Sequence, residues 1–105
     1  HVHDYNANYP ICNGTVCSDE NGNPIHNFIN PKGTVHICEG NGGVPGAPGV
    51  YTLDLEQCTK TTPWCHSHGT GGAYGRIVAH NATSLTYSHV QNNGGNVTDT
   101  FTLTK

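Results

Sequence analysis

The sequence predicts a mostly β protein, with antiparallel strands joined by long Gly/Asn/Pro loops in one unit spanning residues 1–105. Three observations predict it. Apolar residues alternate with polar ones along short runs, the period-two signature of strands, whose successive side chains face opposite ways. The runs are punctuated by 14 Gly and 6 Pro, which leave little room for continuous helix. In the last third, three alternating runs follow one another with turn residues between them.

In chain order, His1-Val2-His3-Asp4-Tyr5 comes first, and in extended chain His1 and His3 face the same side. Residues 6–30 read as an irregular excursion, rich in Asn (Asn6, Asn8, Asn13, Asn21, Asn23, Asn27, Asn30) and broken by Pro10 and Pro24. Cys12 and Cys17 enclose a loop with few apolar residues to hold it. A bridge between them would staple it, with a loop-entropy contribution of roughly 2 kcal/mol. Thr34-Val35-His36-Ile37-Cys38 is the clearest strand of the first half, with Val35 and Ile37 on one face. It ends in the Gly/Pro run from Glu39 to Gly49, which must be a loop. A phosphate cradle would need a following helix with Lys and Ser/Thr in place, and none follows.

Val50-Tyr51-Thr52-Leu53-Asp54-Leu55 alternates again, as a short strand or a single helical turn. Cys58 and Cys65 enclose a second candidate stapled loop, with Trp64 placed to pack over the bridge. His66-Ser67-His68 and Gly69-Thr70-Gly71-Gly72 read as solvated loop leading into the final strands. The first of these runs from Gly75 and folds back at His80-Asn81-Ala82-Thr83 into the second, where Leu85, Tyr87 and His89 share one face. Asn92-Asn93-Gly94-Gly95 suits a turn with positive φ. Beyond it, Val97, Asp99, Phe101 and Leu103 share one side of a third strand. The C-terminal third is thus an antiparallel meander, and the upstream chain must supply the layer that covers it.

Composition narrows the function. The formal net charge is −3 and there is no basic run, so nucleic acid and anionic membranes have no electrostatic attraction to the chain. No stretch approaches the roughly 20 apolar residues of a membrane helix. Five Cys and three Asn-x-Thr sequons, at Asn13, Asn81 and Asn96, point to a secreted, oxidised and glycosylated chain. Five Cys cannot all pair within one chain. The preferred scheme is Cys12–Cys17 and Cys58–Cys65, although four Cys allow three connectivities. Cys38 is then left over, reduced as a small buried hydrophobe, or else bridged to a partner chain or to a missing part of this one. The chain begins at His1 without Met, as a processed or excised product would.

Eight His make metal chemistry worth weighing. A structural zinc site needs four ligands and a catalytic one three, and neither His1-Val2-His3 nor His66-Ser67-His68 supplies that alone. His66 and His68 therefore read as solvated residues. A different alternative is a small copper protein in which the α-amino group and ring of His1 bind copper with a second His.

Taken together, His1-Val2-His3-Asp4-Tyr5, Val35-His36-Ile37 followed by Gly40-Asn41-Gly42-Gly43, Ala73-Tyr74-Gly75-Arg76, and His80-Asn81-Ala82-Thr83 resemble the C-terminal part of purple-acid-phosphatase-like metallophosphoesterases. Their order and rough spacing agree across nearly the whole chain. The resemblance implies the C-terminal portion of a metallophosphoesterase α/β sandwich. It also implies phosphomonoester hydrolysis at a dinuclear centre of iron with zinc, manganese or iron, where two metals clamp the phosphate and supply a hydroxide. His1 and His3 match two of that centre's ligands. The family's other ligands come from segments upstream of this motif, so the implied role is a fragment or subunit that is not catalytic by itself.

Alone, such a fragment would expose an apolar sheet face and unpaired edges, which invite strand addition. The expected partners are the rest of a phosphatase chain or copies of this chain. The alternative to phosphatase membership is a non-catalytic extracellular module that builds an oligomer or filament.

Overall fold

The computed structural model describes residues 4–42, 52–53 and 64–105. Its strands are β1 (Asp4–Asn8), β2 (Ile11–Cys12), β3 (Thr15–Val16), β4 (Ile37–Glu39), β5 (Thr52–Leu53), β6 (Cys65–Thr70), β7 (Ala73–Asn81), β8 (Ser84–Gln91) and β9 (Val97–Thr104). There is no helix among the described residues. The strands form a four-stranded sheet in the order β4-β1-β6-β5, a small β2-β3 hairpin, and the meander β7-β8-β9, with every pairing antiparallel. The mostly β, antiparallel class read from the sequence is the observed one.

β1 is the centre of the first sheet. Tyr5 lies opposite Glu39 on one side and Gly69 on the other; Ala7 lies opposite Ile37 and Ser67. Because partners across an antiparallel ladder share a face, Tyr5, Ala7, Ile37, Glu39 and Ser67 project together. In the meander, Tyr87 is opposite Ile77 and Phe101, and His89 is opposite Gly75 and Asp99. The two faces meet. Tyr5, Ala7, Phe28, Tyr87 and Phe101 form the buried core, with Tyr9, Val35, Ile37 and Leu103 packed at its margin. Phe28 stacks on Phe101 with centroids 4.2 Å apart, so the 28–30 segment covers one flank. Asn30 N donates to Thr104 O, and Thr104 N to Phe28 O, which ties that segment along β9.

Several readings need correction. The excursion expected over residues 6–30 begins as strand β1, whose Tyr5 and Ala7 are fully buried. Its sequence, Asp-Tyr-Asn-Ala-Asn, hides this because small and aromatic residues alternate with amides that the neighbouring strands shelter. The hairpin that follows turns at Asn13 and Gly14, both at positive φ (51° and 83°), as a two-residue Asn-Gly connection requires. The strand expected at Thr34–Cys38 is shorter and later, as β4, with Thr34 reduced to a single bridge to Ile11.

His66-Ser67-His68 is strand β6, next to β1, and not solvated loop. Here the register shifts: Ala7 pairs with Ser67 and Asn8 with Cys65, so His66 is the extra residue of a bulge. The bulge aims His66 at Phe28 and Phe101. A second bulge, between His89 and Val90, pairs Val90 with Val97. Val97 thereby leaves the apolar stripe expected to hold it and is 49% exposed. Of the run Val50–Leu55, only 52–53 are described, as β5.

Candidate functional site

Where the two sheets meet, the interior is polar as well as aromatic. Asp99, opposite His89 on β9, is its centre. Its Oδ2 accepts from Tyr5 Oη at 2.7 Å and from Ser67 Oγ at 2.5 Å, and His66 Nδ1 lies 3.6 Å away. Burial by itself would raise the Asp99 carboxyl, but the hydrogen bonds from His66, Ser67 and Tyr5 outweigh it and hold the group down at about 2. A carboxylate from the meander is thus bound by donors of the first sheet.

A second carboxylate does the reverse. Glu39, at the end of β4, reaches across to the meander, where its Oε1 accepts from Tyr87 Oη and lies 2.8 Å from Nδ1 of the fully buried His89. Tyr5 stacks on the His89 ring at a centroid distance of 3.9 Å and lies 6.0 Å from Tyr87, which joins the two clusters. Gly75 makes room for this crossing. A Cβ there would stand 2.9 Å from Glu39 Oε1 and 3.0 Å from the Tyr87 ring.

Chemically, the arrangement ties the two sheets together through carboxylates that accept hydrogen bonds across the interface. A Ser-His-Asp relay needs the carboxylate on one imidazole nitrogen and the hydroxyl on the other. Here Ser67 Oγ, at 3.0 Å, and Asp99 both approach His66 Nδ1, and the serine hydroxyl is committed to Asp99.

The residues singled out from the sequence are spread widely. His1, His3 and Cys58 lie outside the described residues. Cys12 and Cys17 are bridged, with Cα atoms 4.8 Å apart. Cys65 is also disulfide-bonded, and it is almost fully buried. Cys38 is a free thiol but is exposed, because alternation along β4 turns it away from the core that Ile37 and Glu39 face. It is not a buried hydrophobe.

Asn13, Asn81 and Asn96 are all exposed, at the β2–β3 turn, the β7–β8 turn and the start of β9. The bracketing residues Tyr5, Glu39, Ser67 and Asp99 were not singled out. The signal for Asp99 was present: an acid on the same strand face as Phe101 and Leu103 needs buried donors.

The fold and its polar bracket define a two-layered antiparallel β unit. Residues 33–100 match the family described as iron/zinc purple acid phosphatase-like protein C, and the chain belongs to that family. The comparison with curated proteins finds no match, and neither does the comparison with solved structures.

An iron/zinc family implies a metal centre, and the described residues do not fit one by themselves. No three His, Cys, Asp or Glu among them are grouped to hold an ion. The carboxylates of Asp99 and Glu39 are engaged by the donors described above, and His68 Nε2 lies 3.3 Å from Asp4 Oδ2 as a simple pair at the sheet surface.

Proposed function

We propose that this chain is a non-catalytic C-terminal layer of a secreted, metal-dependent acid-phosphatase-like protein, working against the rest of a phosphatase. The observation that carries the reading is the family match over 33–100. Two structural features support it. The interior acids and hydroxyls bind the two sheets to each other, which is scaffold work. The exposed side chains of Tyr74, Ile77 and Val78 on β7 give the meander an apolar margin suited to a covering partner. The exposed sequons and the bridged cysteines accord with secretion and glycosylation.

The test is a phosphomonoester assay on the purified chain after exposure to iron, zinc and manganese, with metal content measured on the same sample. The expected result is no turnover and no stoichiometric metal. Hydrolysis by the isolated chain with two bound ions overturns the reading, and one tightly held copper per chain favours the copper alternative.

A second reading has a specific observation behind it. β7 is nine residues long, is hydrogen-bonded to β8 in its sheet, and carries one charged side chain, Arg76. Long strands of that kind at a sheet edge accept another strand unless charge, proline or a cover prevents it. In that reading, copies of the chain associate through β7 as an oligomer or filament. Light scattering separates the two: a monodisperse monomer at high concentration excludes self-assembly.

A further inference from the structure

The end of the meander holds a cavity of about 270 Å³ that the proposed role does not use. Its apolar lining includes Pro31, Ala79, Leu85 and Leu103, and Ser84, Thr104 and Lys105 also line it. Asn81, the acceptor of the second sequon, lines the same cavity. Ligand pockets run from roughly 300 to 1,000 Å³, so this one is sized for a single ring and not for an oligosaccharide.

The local hydrogen bonds orient the acceptor. Asn81 Oδ1 accepts from Thr83 N at 2.9 Å and from Thr83 Oγ1 at 3.0 Å. Both bonds use the amide oxygen, and a sugar is linked through the amide nitrogen. The side chain is therefore held by one end while the other stays available. The turn is also pinned from outside, since Lys105 N donates to Thr83 O at 2.8 Å. The other two sequons differ. Asn13 sits between the bridged Cys12 and Cys17, and the exposed Asn96 is not among the residues of this cavity.

We propose that the cavity is the seat of the first N-acetylglucosamine of a glycan on Asn81, with the acetamide methyl and ring face on Leu85 and Leu103. The inference rests on the secreted, glycosylated reading above. The glycan at Asn81 then serves as a missing side chain of the fold, whereas those at Asn13 and Asn96 project into water. Covalent attachment makes the occupant's local concentration high, so weak contacts suffice to keep it seated.

The experiment uses the full chain secreted from a eukaryotic host. Peptide mapping first establishes the occupancy of Asn81. One portion is trimmed with an endoglycosidase that leaves a single N-acetylglucosamine, and another is stripped completely. The expected result is the same melting temperature for intact and trimmed protein and a fall of about 4 °C on complete removal, a shift of the size one lost contact set produces in a domain this small.

Nuclear Overhauser effects between the acetamide methyl and the Leu85 and Leu103 methyls are expected in the trimmed sample. Ala79→Glu, which places a charge in the cavity, is expected to remove both the Overhauser effects and the difference between trimmed and stripped protein. Asn13→Gln and Asn96→Gln are expected to leave that difference in place. An occupied Asn81 with no Overhauser effects and no shift on stripping overturns the seat while leaving glycosylation intact. An unoccupied Asn81 in secreted protein overturns the seat, and if Asn13 and Asn96 are unoccupied as well, the glycosylated reading falls with it.

Discussion

β7 and β8 are neighbours in one sheet, and their burial runs opposite to their composition. β7 carries Tyr74, Ile77, Val78 and Ala79, yet from Tyr74 to Asn81 it is exposed, with Ile77 at 65%. β8 reads Ser-Leu-Thr-Tyr-Ser-His-Val-Gln, yet Tyr87, Ser88, His89 and Val90 are all buried. Ile77 is opposite Tyr87 in the ladder and shares its face. It is bare although Glu39 of the first sheet reaches β7 at Gly75, two residues away. The difference teaches that hydrophobicity sets what a strand would gain from burial, while the adjacent layer decides whether it is buried. His89 and the Tyr87 hydroxyl go inside β8 because Glu39 and Tyr5 meet them there. The apolar residues of β7 stay outside until something is laid against them.

The bracket under β8 is where the contrast breaks most readily. Asp99→Ala removes the acceptor of Tyr5 and Ser67 and leaves buried donors unsatisfied, with an expected loss of about 3 kcal/mol in denaturant unfolding. A loss below about 1 kcal/mol, the net worth of one ordinary hydrogen bond, would mean the sheets are held by aromatic packing alone.

The same group sets an acid limit. Its folded value, about 2, is below the ordinary 3.8, so its contribution is full above about pH 4 and is lost as pH falls through about 2. Acid titration of stability should show this loss, and Asp99→Asn should flatten that part of the curve. An unchanged curve in the variant would place the acid sensitivity elsewhere.

Gly75→Ala should cost about 1–2 kcal/mol, because its methyl group would push Glu39 and Tyr87 apart. Thermal unfolding measures it, and a neutral result would show that the Glu39 carboxylate is free to shift. Tyr5→Phe keeps the stacked ring and loses the hydroxyl, for an expected cost of about 1 kcal/mol.

On the bare side, Ile77→Lys and Val78→Lys should change the stability of the isolated chain by less than about 0.5 kcal/mol. Any association through β7 should be abolished in both, as read by light scattering or by co-purification with a phosphatase partner. A large loss of stability in either variant would show that β7 already has a cover within the chain.

What could be read in advance divides along the same line. The meander was legible because its information is local: alternation on each strand and Asn, Gly and Thr at each turn. Its exact pairing, Ile77 with Tyr87 and Tyr87 with Phe101, depends further on a bulge in each ladder, at Ala79/Asn81 and at His89/Val90, which the turns do not announce. The first sheet was not legible. β1 pairs with β4 and β6, some thirty and sixty residues away in register, and nothing within Asp4–Asn8 names those partners. The Tyr5–Asp99 bond spans 94 positions. His66 reaches the core only through a bulge, and a one-residue shift reverses every side chain beyond it. Motif order across the chain carried the family membership, because it does not depend on knowing which strand lies beside which.

The outward turn of Cys38 on β4 has a practical consequence. Its sulfur is accessible to a maleimide dye, and the core that Ile37 and Glu39 face is left untouched. Fluorescence from that position would report when another molecule shields the rim of the first sheet, in real time and without a substitution.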